Sequence, residues 1–160
     1  MPFRFPRQAH TTAVALVITS LVGFSGCDRS ASNEEKALRA ELGQALHEHA
    51  YEKAAELARR HLKLRPQDNG TWERLARTQF GLRDFAGVKQ VLEDWRRTVQ
   101  KPSLHLDEYT GDLASEQNDP AAAGQAWAKV LATEPKNTRV LEKVARAERA
   151  QQHWTEENAA

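Results

Sequence analysis

Leu104–Asn137 reads LHLDEYTGDLASEQNDPAAAGQAWAKVLATEPKN, two helix-forming segments joined at Asp119-Pro120. Asp119 is a cap residue, and a proline directly after it loses nothing at the first helical position, where the backbone N–H has no intrahelical partner. A second helix therefore starts at Pro120. Upstream, Asp107 and Glu108 beside His105 mark the start of the first helix, because acidic side chains favour the positive end of the helix dipole. Downstream, Leu131-Ala132-Thr133-Glu134-Pro135 ends on a proline. Leu62-Lys63-Leu64-Arg65-Pro66 does the same, 69 residues earlier, or twice 34.5. Pro102 closes a third such unit between them, less neatly.

A helix-turn-helix unit of this period resembles the tetratricopeptide repeat, in which large and small side chains recur at fixed places. On that resemblance, residues 104–137 are the best-fitting unit. Gly111 takes the small position of its first helix and Ala123 that of its second, followed by Trp127, Val130 and the closing Pro135. Residues 69–103 place Trp72, Leu75, Ala76, Phe85, Val88 and Leu92 on the pattern and depart from it at Trp95, a bulky ring where alanine is usual, which implies looser or rearranged packing. Residues 34–68 supply Leu42-Gly43, Leu46, Tyr51, Ala54, Ala58 and Pro66, and fit if their inner loop is one residue short. Thr138 to Trp154 repeats a first-helix pattern through Leu141, Val144 and Ala145 and should cap the stack.

The expected fold is all-α: a solenoid of about three helix pairs with a C-terminal capping helix, seven helices in all. Composition agrees, since Ala, Leu, Glu, Arg, Lys and Gln dominate and the one isoleucine, Ile18, lies near the start. Independent amphipathic helices in a plain bundle would give similar apolar periodicity. Ser32 with Glu35 three residues on reads as a capping box. The helical domain is thus placed at residues 33–154, with a polar tail at 155–160.

Residues 1–26 differ from the rest. They carry Arg4 and Arg7, no acidic side chain, and an uncharged apolar run from Ala13 to Phe24 that is too short to span a bilayer. Phe24-Ser25-Gly26-Cys27 resembles a bacterial lipobox, although leucine is commoner where Phe24 stands. The resemblance implies a lipoprotein signal peptide over 1–26, diacylglyceryl on Cys27, acylation of the new amino terminus by a fatty acid such as palmitate, and a lipidated linker over 27–32. Cys27 is the single cysteine, so no intramolecular disulfide competes for it. Asp28 resembles an inner-membrane retention signal, with the outer membrane the other possibility. A linker of about five residues, reaching roughly 15–20 Å when extended, would hold the first repeat near the lipid and leave the Trp154 end freer.

Removal of residues 1–26 would leave 134 residues with 21 basic and 22 acidic side chains. That near-neutral balance points away from a nucleic-acid partner. In tetratricopeptide proteins the first helices line a groove for an extended peptide or a partner's helix. The resemblance puts Glu73, Arg77 and Phe80, then Glu108, Asp112 and Ser115, then Arg146 and Arg149 on this concave face, with Gln44 and His47 added from the first unit. A mixed-charge groove with one exposed aromatic suits a polar peptide, whereas an i,i+4 pair such as Glu73 and Arg77 would equally serve a solvated face. The lysine and asparagines of the carboxylate-clamp relatives are not at the matching positions. His47, His49 and His61 do not share a helix face suitable for zinc, and no His-Glu-x-x-His, glycine-rich phosphate loop or Gly-x-Ser-x-Gly occurs. No cofactor and no catalytic residue are expected. The reading is a membrane-anchored periplasmic adaptor that binds a protein partner in envelope assembly or transport. The alternative is a hydrolase or metal-binding envelope protein whose site no motif reveals. Trp72, Trp95 and Trp127 are expected to pack, leaving Trp154 for partner contact.

Overall fold

The computed structural model describes the backbone over residues 25–158 and side chains over residues 32–149. Those residues form α1 (Ser25–His47), α2 (Tyr51–Leu64), α3 (Asn69–Gly81), α4 (Phe85–Thr98), α5 (His105–Glu116), α6 (Pro120–Thr133) and α7 (Thr138–Asn158). Consecutive helices pack on one another as three antiparallel pairs, α1–α2, α3–α4 and α5–α6, with α7 laid against the last. The fold is a tetratricopeptide-like α-solenoid. Among the described residues no helix is long and apolar enough to cross a membrane.

Each pair is closed by the same three-residue turn: 48–50, 82–84 and 117–119. The middle residues, His49, Arg83 and Asn118, have φ of 56°, 55° and 56°. In each turn the residue after this left-handed one donates its N–H five residues back, from Ala50 to Ala45, Asp84 to Gln79 and Asp119 to Ala114. The left-handed residue donates to the carbonyl three back. This pairing is the Schellman termination, which satisfies carbonyls that a helix end leaves open. Asp84 and Asp119 then serve the next helix as caps, accepting from the N–H of Gly87 and Ala122.

The equal turns settle the register of the first pair. Leu42, Ala76 and Gly111 hold equivalent positions, seven residues before the left-handed centre, and all three are buried. The expected short loop is therefore absent, and Gly43 is not the crossing residue: a Cβ there would meet nothing within 4 Å. Gly111 is a true close approach, since a Cβ would overlap the Trp127 indole. At Gly81 one would come within 2.7 Å of the Tyr51 ring.

Trp95 is fully buried, and its indole N–H donates to Asn69 Oδ1 at 2.8 Å. Room for it comes from the connection behind α4, residues 99–104, which is longer than 65–68 and 134–137. The departure at Trp95 thus appears as a rearranged connection. Asn69 and Gln67 staple that connection to the preceding one: Asn69 Oδ1 accepts from Ser103 N, Asn69 Nδ2 donates to Lys101 O, and Gln67 pairs with both Thr98 O and Gln100 N. The equivalent of Trp95 in the first pair is His61, also fully buried.

Two boundaries differ from expectation. α1 begins at Ser25, so residues 27–32 continue the helix and Ser32 lies inside it, where no capping box can form. Nothing from Cys27 to Asn33 is a proline or glycine that would stop the helix, and the Glu35 carboxylate is taken instead by Arg65, 2.8 Å away. At the other end α7 runs to Asn158 through Thr155-Glu156-Glu157, which contains no breaker. The side chain of Trp154 lies outside the described residues.

Candidate groove between α3, α5 and α7

The first helices α3, α5 and α7 line one face, and a groove of about 540 Å³ opens on it, with Arg77, Phe80, Tyr109, Asp112, Ser115 and Lys143 among its walls. Glu116, Trp127, Arg146 and Ala147 complete them. Helical spacing explains the convergence. Arg77 and Phe80 on α3, Asp112 and Ser115 on α5, and Lys143 and Arg146 on α7 are each three residues apart and so share a helix face.

The floor is aromatic. Phe80 stacks on Tyr109 with centroids 5.8 Å apart and planes at 29°, and meets Phe85 edge-on at 6.4 Å. Phe80 is consequently half-buried, not the exposed ring the pattern implied. Burial pushes the Tyr109 hydroxyl up to about 12, so it stays a neutral hydrogen-bonding group.

Beside the floor lies an ion cluster that docks the cap. Glu108, 4% exposed, accepts from Lys143 at 2.6 Å and from Arg139, with His105 Nδ1 at 3.4 Å. Asp112 accepts from the same lysine at 2.6 and 2.7 Å and from the Trp127 indole at 3.2 Å. Burial works to raise the Glu108 carboxyl, but the hydrogen bond and charge of Lys143, joined by Arg139, hold it below the ordinary value. At Asp112 burial outweighs Lys143 and the carboxyl is raised.

The expected site residues thus separate. Arg77, Phe80, Asp112, Ser115 and Arg146 come together in the groove. Glu108 is turned inward and saturated by cations, Glu73 faces His105 Nε2 at 3.7 Å, and Arg149 is exposed outside the lining. Glu73 makes no salt bridge with Arg77 among the described residues. Gln44 and His47 fall elsewhere, because the corrected register puts Arg39, Gly43 and Leu46 at the positions equivalent to Glu73, Arg77 and Phe80. Gln44 instead donates to Glu48. Lys143, Tyr109, Glu116 and Ala147 are lining residues that the pattern did not single out, and Trp127, which the pattern assigned to packing, lines the groove as well. For Lys143 a signal existed: Arg139 and Lys143 repeat at four on α7, as Glu108 and Asp112 do on α5.

With Asp112 paired to Lys143, the charges left for a ligand are those of Arg77, Arg146 and Glu116, a net positive set in which none makes a salt bridge among the described residues. A second hollow of about 510 Å³ lies between α1 and the connection 65–68, but its charges are paired with one another, Arg39 to Asp68 and Arg65 to Glu35, each within 3 Å. Among the described residues no group of three or more His, Cys, Asp or Glu could hold a metal ion.

No family model matches the sequence, and no curated protein sequence matches it. Among solved structures the fold is similar to the first tetratricopeptide domain of Spaghetti (RPAP3), bound to the HSP90 peptide SRMEEVD, with a TM-score of 0.66 and 15% identity over 76% of this chain and 95% of that one. At that identity the likeness is one of fold.

Proposed function

We propose that this chain is a membrane-anchored periplasmic adaptor, without catalytic activity of its own, that holds a partner polypeptide during envelope assembly or transport. The observation that carries the binding reading is the groove: an aromatic floor of Phe80 and Tyr109 in a lining that also holds two guanidinium groups without a salt bridge among the described residues, Arg77 and Arg146, against one unbridged carboxylate, Glu116. Such a surface fits an extended segment that sets an apolar side chain on the rings and an acidic one beside Arg77 or Arg146. The structural neighbour's peptide is acidic, which agrees with that chemistry. Rim charges of this kind set orientation and association rate more than affinity.

The anchor reading rests on Phe24-Ser25-Gly26-Cys27 and the apolar run before it. Two acyl chains or more give stable attachment where one does not. Asp28 favours the inner membrane. Cys27→Ser should abolish lipid labelling and leave the protein unprocessed or released, and normal processing with full membrane retention would overturn the anchor. Crosslinking in native membranes followed by purification tests the partner: one polypeptide should be recovered with wild type and lost with Arg77→Glu/Arg146→Glu. Recovery unchanged by those substitutions would remove the groove from the account.

A further inference from the structure

The two edges of the solenoid differ in charge. One edge carries the turns within pairs; the other carries the connections between pairs together with the helix ends that flank them. Along the connection edge, residues 61–72, 95–108 and 130–141 hold seven Lys or Arg and four Asp or Glu. Along the turn edge, residues 44–54, 78–88 and 113–123 hold two and five. Three of the four acids in the connection-edge stretches are already bridged, Asp68 by Arg39, Asp107 by Lys129, and Glu108 by Arg139 and Lys143, and Glu34 and Glu35 of the adjoining start of α1 are bridged by Arg60 and Arg65. Lys63, Arg96, Lys101 and Lys136 are exposed and make no salt bridge among the described residues.

Two further observations fall on this edge. The exposed large hydrophobic side chains of the described residues are Leu64 and Leu141, 40% and 43% exposed, and both belong to it. The start of α1 also lies here, because Glu34 and Glu35 reach Arg60 and Arg65 at the end of α2. α1 is 23 residues long against 13 for α3, so its first ten residues run about 15 Å beyond the edge at the usual helical rise. The backbone of Cys27 therefore lies on this side of the molecule.

We infer that the connection edge is a docking surface for anionic phospholipid headgroups. Unneutralised Lys and Arg are drawn to the negative potential of such a surface within about a Debye length, roughly 8–10 Å, a reach that spans most of the gap left by the protruding start of α1. The molecule would lie edge-on, with every repeat near the membrane and the groove open along it. The inference takes its direction of approach from the anchored reading but concerns the fold's own surface, and it adds a lipid partner to the protein partner of the groove.

The test uses the full-length chain reconstituted in phosphatidylcholine vesicles, with or without about one third phosphatidylglycerol to supply the anionic surface. Modification of individual lysines by a water-soluble amine reagent is followed by mass spectrometry. In anionic vesicles Lys63, Lys101 and Lys136 should react severalfold more slowly than in neutral ones, while Lys53 and Lys89 react alike in both. High salt should remove the difference, and Leu64→Asp/Lys101→Glu should weaken the protection of Lys63 and Lys136. Equal rates in the two vesicles, or equal protection of Lys53 and Lys89, would overturn the inference. Because the comparison holds the mode of attachment constant, it does not depend on whether acyl chains or the leader tether the protein. Loss of partner capture would leave it untouched.

Discussion

A methyl group added at Gly111 would overlap the Trp127 indole, whereas one added at Gly43 meets nothing within 4 Å. Gly43→Ala should therefore stabilise the protein by about 1 kcal/mol, the usual gain in a helix interior. Gly111→Ala should destabilise it by about 1–3 kcal/mol through overpacking. Denaturant unfolding of the two variants measures both. His61 offers a second test at this scale. Thr71 Oγ1 donates to Asp68 at 2.9 Å and lies 3.0 Å from His61 Nδ1, so the imidazole carries its proton on Nδ1. That assignment leaves Nε2 as a buried acceptor without a hydrogen bond, 4.0 Å from Glu35 Oε1. Burial lowers the His61 pKa against the pull of Asp68 and Glu35. Below its ordinary value of 6.5 the unfolded chain takes up a proton that the folded one resists, so stability falls as the pH drops from there toward the folded value. Between about pH 7 and 5 wild type should lose more stability than His61→Gln; equal losses would exclude His61 as the cause.

Among the elements, α7 depends on a small apolar patch and on ions. Ala123, Trp127, Val130 and Val140 form its buried cluster, and Lys143 with Arg139 ties it to Glu108 and Asp112 on α5. Lys143→Ala would leave one carboxylate with Arg139 and the other without a cation, and should cost about 3 kcal/mol. Replacing Glu108, Asp112 and Lys143 together by Gln, Asn and Met should recover much of that loss. Hydrogen exchange along α7 would localise the effect. The helices themselves were largely legible in the sequence because their punctuation is chemical: Asp119-Pro120, Pro66, Pro135 and the small Gly111 each have one strong local reading. The turns were not, since their left-handed residues are His49, Arg83 and Asn118 where glycine would have marked them, and Leu42-Gly43 offered a false match one residue away. The start of α1 escaped for a different reason. Ser32 and Glu35 spell a cap, but Glu35 has a better partner in Arg65, and that contact is tertiary. Lys143 was missed likewise, because its carboxylates lie on another helix.

For the whole molecule, three pairs of helices present a groove on one face and a basic edge at right angles to it, so a partner polypeptide and a lipid surface would not compete for the same residues. Most of the expected groove residues were found by carrying a repeat pattern onto the chain; which of them remain available to a ligand was decided by pairing across helices, which no single-helix pattern contains. Five of the eight line the groove, and the inward turn of Glu108 changes its charge balance toward the cations Arg77 and Arg146. The central claim is that this groove holds a polypeptide. A photocrosslinking amino acid placed at Phe80, with an identical one at the exposed Glu93 of α4 as control, measures it in native membranes. We predict a discrete polypeptide adduct from position 80 that disappears with Arg77→Glu/Arg146→Glu and does not form from position 93. The same adducts from both positions, or an adduct from position 80 that survives both charge reversals, would contradict it.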